Sequence, residues 1–177
     1  MAEEDVVTLS PIASAWNSLS EALRAHPDKA RAKYAPATAT LESGLKCRVT
    51  GPSGEQIETD MPPALGGAGS GPNPGWFFRA SVAACCSTVI AAQAARLGIN
   101  LTKLEVTVEG EGDHRGMLGV EDAISAGHSA IRTDVRISAQ DATSEQLEEL
   151  VQWAAAHSPV GCTVRDAPSN SLSVVVV

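Results

Sequence analysis

The longest apolar segment of the chain runs from Pro74 to Leu97 and contains only two charged residues, both arginines. Its ends carry local signals for a helix. Asn73 is a good N-cap, Pro74 suits the first helical position, and Gly98 can take the left-handed conformation that ends a helix. The pattern predicts one long, buried helix over 74–97, around which the other elements are arranged.

Shorter elements precede this helix. Apolar residues at three- and four-residue steps from Ile12 to Leu23, begun by Ser10 and Pro11, predict an amphipathic helix to about Arg24. This helix is expected to pack on the main body as a clamp rather than to bind a partner. The alternation that follows predicts short strands over 33–43, 45–50 and 56–59, with a turn at 51–54.

After Gly98 the chain alternates apolar and polar residues over 104–109 and again over 131–137, which predicts two antiparallel neighbouring strands. Thr143 with Gln146 forms a capping box for a second helix that must end before Pro159. Residues 158–164 are then expected to be extended, and 171–177 to form an apolar strand. This order predicts an α+β fold with an antiparallel sheet, in which 1–32 is an N-terminal helical extension and 33–177 the main domain.

Composition narrows the classes of function. The 177-residue chain has a net charge of −8 and 3% aromatic residues, so it lacks the basic field and the stacking platforms of a nucleic-acid-binding protein. Polar residues such as Ser87 and Gln93 make the long helix a poor membrane span, and the acidic start of the chain does not resemble a signal peptide. We therefore expect a cytoplasmic protein with no nucleic-acid or membrane partner.

Four cysteines are candidates for chemistry: Cys47, Cys85, Cys86 and Cys162. Thiols are normally reduced in the cytosol, so the four are interpreted as core residues or reactive groups rather than as a disulfide frame. No C-x-x-C pair occurs and the histidines are scattered, so no metal site is expected.

Cys85 and Cys86 are adjacent in the long helix and must point to different faces, at about 100° per residue. Cys85 lies on an apolar stripe, whereas Cys86 shares its line with Arg79 and Gln93, so helix geometry favours Cys86 as the thiol with polar neighbours. Both lie about three turns into the helix, beyond the reach of its dipole, so activation would need an arginine. The candidates are Arg79, Arg115, Arg132, Arg136 and Arg165. The residues by themselves leave open whether either thiol is reactive or an ordinary core residue.

Two further segments allow more than one interpretation. Residues 62–74 are rich in glycine but lack the spacing of a phosphate-binding loop, so a mobile loop that closes over the start of the helix is favoured over a phosphate site. Asp113, His114 and Arg115 could be catalytic, but a charged turn is the commoner meaning of such a cluster.

Several short motifs occur together in order: Pro63-Ala-Leu-Gly-Gly67, Gly71-Pro-Asn-Pro74, Ala83-Ala-Cys85, Gly112-Asp-His-Arg-Gly116 and Ser158-Pro-Val160. From about Lys33 to its end, the chain thereby resembles the OsmC/Ohr family, that is, osmotically inducible protein C and the organic hydroperoxide resistance proteins. The resemblance implies an α+β, OsmC-like fold in which an antiparallel sheet wraps around long central helices. It also implies an intertwined homodimer with paired active sites at the interface.

The same resemblance implies a thiol-dependent peroxidase that reduces organic hydroperoxides and, more weakly, hydrogen peroxide. By motif, Cys85 rather than Cys86 is the peroxidatic thiol, which becomes a sulfenic acid and is resolved to a disulfide by a second cysteine. A dithiol reductant of lipoyl or thioredoxin type would regenerate the thiols, without a cofactor or a metal.

This chain departs from the family pattern at three places. The glutamate that follows the Asn-Pro turn in the family corresponds to Gly75 or Trp76 here. The second cysteine of the family immediately precedes Pro-Val, where this chain has Ser158, and we expect Cys162 to replace it through a bend at Gly161. The arginine that pairs with the peroxidatic cysteine lies ahead of the glycine-rich loop, where this chain has Asp60 and no arginine.

A second class of function stays open. A non-enzymatic OsmC-like protein could bind a small hydrophobic molecule in an apolar dimer groove lined by Trp76, Phe77 and Phe78. Treatment of the reduced protein with a hydroperoxide distinguishes the peroxidase from the binding protein, because free thiols are lost only if cysteine chemistry takes place.

Overall fold

The structure, a computed structural model, describes residues 10–177, so the first nine residues of the predicted extension 1–32 lie outside the described residues. The helices are α1 (Pro11–Ala25), α2 (Pro74–Leu97), α3 (His114–Met117), α4 (Ser144–His157) and α5 (Pro159–Arg165), and the strands are β1 (Thr38–Ser43), β2 (Lys46–Thr50), β3 (Gln56–Thr59), β4 (Leu101–Gly112) and β5 (His128–Ala139). The described residues form two compact units, one with 10–17 and Val82–Val177, the other with Ser18–Ser81. The predicted division at residue 32 stays a prediction.

The first unit is built on the long antiparallel pair β4 and β5 and on the helices that cover it. Leu104 lies opposite Ile137 and Val106 opposite Val135, which confirms the predicted pairing. Alternate residues of a strand point to one face, so these four side chains pack together against the helices. The buried core that they cover comes from α2 and α4: Cys86, Val89, Ile90, Ala94, Leu147, Leu150 and Ala154.

The second unit contains a three-stranded antiparallel sheet in the order β1-β2-β3. The turn between β2 and β3 is closed by Gly51, whose N–H donates to the Glu55 carbonyl oxygen at 2.9 Å. The prediction of β1 was wrong at its start, because the strand begins at Thr38 and not at residue 33. Pro36 has no N–H to donate to a ladder, and Tyr34, two residues before it, is exposed.

Both ends of α2 form as their local sequence predicts. The Asn73 Oδ1 accepts the Trp76 N–H at 2.9 Å. At the other end Gly98 has a φ of 72°. The Ile99 N–H then donates to the Ala94 carbonyl oxygen at 2.9 Å, and the Gly98 N–H to that of Ala95 at 3.3 Å, which together make a Schellman motif.

Helix α1 also forms as predicted, with the Ser10 Oγ accepting the Ala13 N–H at 3.2 Å. Asn17 joins α1 to α2, because its Oδ1 accepts a hydrogen bond from the Arg96 Nε at 3.1 Å. The start of α1 therefore packs against the rest of the first unit, as expected.

The segment after α4 is helical, so the prediction of an extended chain over 158–164 was wrong. Pro159 ends α4 because the residue before a proline avoids the helical region, and Ser158 has an extended ψ of 110°. Proline also suits the first turn of a new helix, and α5 begins at that same residue. The bend expected at Gly161 is replaced by a helical turn.

The prediction of a strand over 171–177 was also wrong. These residues form no strand within the described part of the chain, and the apolar side chains of Leu172 and Val174 to Val177 are exposed. A strand needs a neighbour for its backbone hydrogen bonds, and an apolar sequence alone does not supply one.

By length and composition α2 could cross a membrane, a test that the core helices of soluble proteins also pass. In this protein α2 supplies four residues of the buried core of the first unit. We therefore describe it as a core helix.

Candidate active site

The side chains of Cys85 and Ser158 meet although they lie 73 residues apart in the sequence. The Ser158 hydroxyl donates a hydrogen bond to the Cys85 sulfur at 3.2 Å. Ser158 is 2% exposed, whereas Cys85 is half-buried on α2. The contact brings the Ala83-Ala-Cys85 and Ser158-Pro-Val160 motifs together, and Cys85 remains partly exposed.

Local structure explains why Ser158 is held at this point. It lies between α4 and α5, ending the first helix and capping the second. Its Oγ accepts the Gly161 N–H at 3.4 Å, and its carbonyl oxygen accepts the Cys162 N–H at 2.8 Å. The backbone on both sides of Ser158 is therefore fixed by helices, which fixes the direction of its hydroxyl.

Cys86 does not lie in polar surroundings, so the interpretation from helix faces was wrong. It is 6% exposed and packs in the core with Ile90 and Leu150. Burial, and to a smaller extent the neighbouring Cys85 thiol, raises the pKa of Cys86 above its ordinary value. A thiol in such a place is a weak nucleophile, because the thiolate is the reactive form.

Cys162 lies in α5, one helical turn after Ser158. Its thiol donates to the Ala156 carbonyl oxygen at 3.3 Å. The Arg165 guanidinium lies close by, and its pKa is raised, first by Asp166 and then by Cys162. All four cysteines of the chain are free thiols.

Most of the candidate activating arginines pair with carboxylates. The ion pairs are Arg115–Asp113 at 2.7 Å, Arg132–Asp134 at 2.8 Å, Arg136–Glu105 at 3.3 Å and Arg165–Asp166 at 2.9 Å. Arg79, the fifth candidate, also has interactions of its own. The Cys85 sulfur is instead in contact with the Ser158 hydroxyl.

Asp60 organises the glycine-rich segment that precedes α2. Its buried carboxylate accepts the N–H groups of Met61, Ala68 and Ser70 and the Ser70 hydroxyl, at 2.8 to 3.2 Å. These hydrogen bonds, those from Ser70 first, lower the pKa of Asp60. The segment is thus anchored rather than free. Two of its amides already bind an internal anion, which argues against a phosphate site.

The charged cluster after β4 forms the start of the short helix α3, where a charged turn was expected. Asp113 caps α3 by accepting the Arg115 N–H at 2.9 Å, and Arg115 also pairs with Glu121 at 3.1 Å. Asp113, Arg115 and Glu121 are exposed ion-pairing residues. The charges of Asp113 and Glu121 are thus paired with Arg115 within the cluster.

The aromatic residues at the start of α2 are partly uncovered. Trp76 is 49% exposed and Phe78 is 37% exposed, and the Trp76 ring meets that of Phe77 edge to face at 5.2 Å. Elsewhere, a cleft of about 990 Å³ lies between β5 and α4, lined by charged residues such as Arg136 and Glu148, and Cys85 does not line it. Over residues 10–177 no group of three ligating side chains could hold a metal ion.

Comparison with known proteins gives a consistent result. The model of the family described as "OsmC-like protein" matches residues 67–173. No curated protein matches the chain.

Solved structures show the same fold at low sequence identity. An OsmC-like protein from Mycoplasma pneumoniae is 19% identical, with a TM-score of 0.65 over 77% of this chain and 91% of that one. An organic hydroperoxide resistance protein OsmC from Legionella pneumophila is 23% identical, with a TM-score of 0.55 over 77% and 93%. One from Elizabethkingia anophelis, also an organic hydroperoxide resistance protein, is 21% identical, with a TM-score of 0.56 over 78% and 92%.

Proposed function

This chain belongs to the OsmC-like protein family, and from that membership we propose that it is a thiol-dependent peroxidase that reduces organic hydroperoxides, and hydrogen peroxide more weakly, at Cys85. The proposal is carried by one observation, the contact of a half-buried Cys85 with the Ser158 hydroxyl at 3.2 Å. Two of the structurally similar proteins are organic hydroperoxide resistance proteins, which supports the choice of substrate.

The proposed reaction begins with the thiolate of Cys85. Its sulfur attacks one oxygen of the hydroperoxide, so that a sulfur–oxygen bond forms and the oxygen–oxygen bond breaks. Cys85 becomes a sulfenic acid, and the alkoxide leaves and takes a proton to become an alcohol. Two electrons pass from the sulfur to the peroxide.

Resolution of the sulfenic acid is assigned to Cys162. An extended segment would separate positions 158 and 162 by roughly 13 Å, whereas a helix separates them by about 6 Å along its axis. The helical form of α5 therefore keeps Cys162 within one turn of the residue that touches Cys85. The Cys162 sulfur would displace water from the sulfenic acid to form a disulfide, which a lipoyl or thioredoxin-type dithiol then reduces by exchange.

The test compares the two adjacent thiols. Cys85→Ser should abolish turnover of cumene hydroperoxide, whereas Cys86→Ala should keep it, because Cys86 is a core residue. Peptide mapping after one equivalent of peroxide should give a disulfide between Cys85 and Cys162. Turnover that survives in Cys85→Ser would reject the proposal, and a persistent sulfenic acid at Cys85 would assign resolution to an external thiol.

The setting of this activity is also proposed. We expect a cytoplasmic protein, because the site needs reduced thiols and a supply of dithiol reductant. The homodimer is what the resemblance to the family implies.

A second candidate function rests on the exposed aromatic residues of α2. Trp76 and Phe78 present apolar surface, which suits a small hydrophobic ligand in a dimer groove. Unchanged thiols after peroxide treatment, together with quenching of tryptophan fluorescence by a hydrophobic probe that Trp76→Ala removes, would favour this function.

A further inference from the structure

We infer that Ser158 positions the Cys85 sulfur for reaction and stabilises its thiolate through the hydrogen bond of its hydroxyl. The inference deepens the proposed function, because it assigns a second residue to the same site. Its role in catalysis rests on that proposed function. In the family pattern this position holds a cysteine, which would itself be oxidised. A hydroxyl cannot form a disulfide, so the role inferred for Ser158 is a different one and rests on its contact with the Cys85 sulfur.

The direction of the hydrogen bond follows from the contacts of Ser158. A serine hydroxyl has one hydrogen and two lone pairs. One lone pair accepts the Gly161 N–H at 3.4 Å, and the Cys85 sulfur lies 3.2 Å from the same oxygen. A thiolate carries no hydrogen, so the hydroxyl is the donor toward the ionised sulfur. The hydroxyl therefore donates to the sulfur while the backbone of α5 holds its oxygen.

The charge of the sulfur decides how strong this bond is. A thiol is a weak acceptor, whereas a hydrogen bond to an ionised acceptor is roughly twice as strong as a neutral one. The bond therefore favours the thiolate over the thiol. Ser158 is 2% exposed, so bulk water competes little for its hydroxyl.

Gly161 keeps room for this arrangement. A Cβ at position 161 would lie 3.2 Å from the Ser158 Oγ and 3.4 Å from its Cβ, which is tighter than most side-chain contacts. A larger residue there would press on the hydroxyl.

Several ionisable side chains lie on the elements that hold the pair: Arg79, Cys86 and Arg96 on α2, Glu145, Glu148, Glu149 and His157 on α4, and Cys162 and Arg165 on α5. Cys86 follows Cys85 on α2, and Cys162 lies one turn along α5. His157 precedes Ser158, but its Nδ1 lies 2.7 Å from the Trp153 carbonyl oxygen and its ring stacks on that of Trp153. Replacing Cys86 by alanine therefore removes the adjacent titrating thiol.

The experiment measures alkylation of Cys85 by iodoacetamide as a function of pH, in the full-length chain with Cys86→Ala as the common background. Mass spectrometry follows the peptide between Arg79 and Arg96, which then carries one cysteine. Adding Ser158→Ala should raise the pH midpoint of the alkylation rate by about one unit, which is a tenfold loss of thiolate below the midpoint.

Two further variants separate the hydroxyl from the helix cap. Ser158→Gly also removes the hydroxyl, but glycine caps helices nearly as well, so this variant serves if Ser158→Ala does not fold. It should show the same rise. Thr143→Ala removes the N-cap of α4 without touching Cys85 and should leave the midpoint unchanged.

The outcomes distinguish this inference from the proposed function. An unchanged midpoint in Ser158→Gly, or an equal rise in Thr143→Ala, overturns the inference whether or not the protein reduces peroxides. A rise confined to the Ser158 variants supports it, even if cumene hydroperoxide is not turned over and the peroxidase proposal fails.

Discussion

Asp60 shows how much one residue can determine, because its single carboxylate accepts four hydrogen bonds from the loop that leads into α2. Its pKa is lowered in the folded protein, chiefly by the Ser70 N–H. The unfolded chain therefore binds a proton at higher pH than the folded one does. The stability contributed by Asp60 is present above the ordinary aspartate pKa of about 3.9 and is lost as the pH falls below it.

We predict that Asp60→Asn lowers the melting temperature at neutral pH, because an amide nitrogen would face a backbone donor. The difference in melting temperature between the variant and the wild type should narrow below about pH 4, where the stability contributed by the wild-type carboxylate begins to be lost. Asp141→Asn is the matched comparison. The pKa of Asp141 is also lowered, first by the Asn100 N–H, but this carboxylate is exposed, so its pH-dependent difference should be smaller. Thermal melts from pH 3 to 7 that show a constant difference for Asp60→Asn would contradict the prediction.

At the scale of the element, the end of α2 depends on one left-handed residue. Gly98 has a φ of 72°, and a Cβ built there meets no atom within 4 Å, so only the backbone opposes a side chain. We expect Gly98→Ala to lower the free energy of unfolding by about 1 kcal/mol. Gly98→Asn should lose less, because asparagine tolerates this conformation.

Urea denaturation at constant m-value measures both losses. Equal losses for alanine and asparagine would mean that the conformation at position 98 is not what the side chain disturbs.

At the scale of the whole molecule, α2 is apolar but incompletely covered. Ala84 and Thr88 are exposed on it, next to the half-buried Cys85. We predict a stable dimer in which a second copy of the chain covers this exposed face of α2, because the burial of apolar helix surface is favourable.

Ala84→Arg should then shift the protein to the mass of one chain in analytical ultracentrifugation at low micromolar concentration, since it would bury a charge in the interface. Ala155→Arg, at an exposed position of α4, should leave the dimer intact. A wild-type protein that stays folded as one chain under these conditions would refute the prediction.

The sequence by itself determined the features that depend on a few neighbouring residues. Asn73 and Gly98 set the ends of α2, and Thr143 with Gln146 forms the capping box of α4. The alternation of β4 and β5 likewise predicted their pairing. Caps are hydrogen bonds within one turn, and alternation follows from the backbone of a strand, so both can be read locally. The motifs identified the family, but only as a resemblance between sequences.

Only the tertiary structure decided which thiol is accessible. The faces of an isolated helix favoured Cys86, but the packing of α4 buried it and brought Ser158 onto Cys85 instead. A local pattern also did not predict the helix that begins at Pro159 or the exposure of residues 171–177. The physical reason is the same in each case. Burial and side-chain contacts depend on segments far apart in the chain, and 73 residues separate the two side chains that meet at the candidate site.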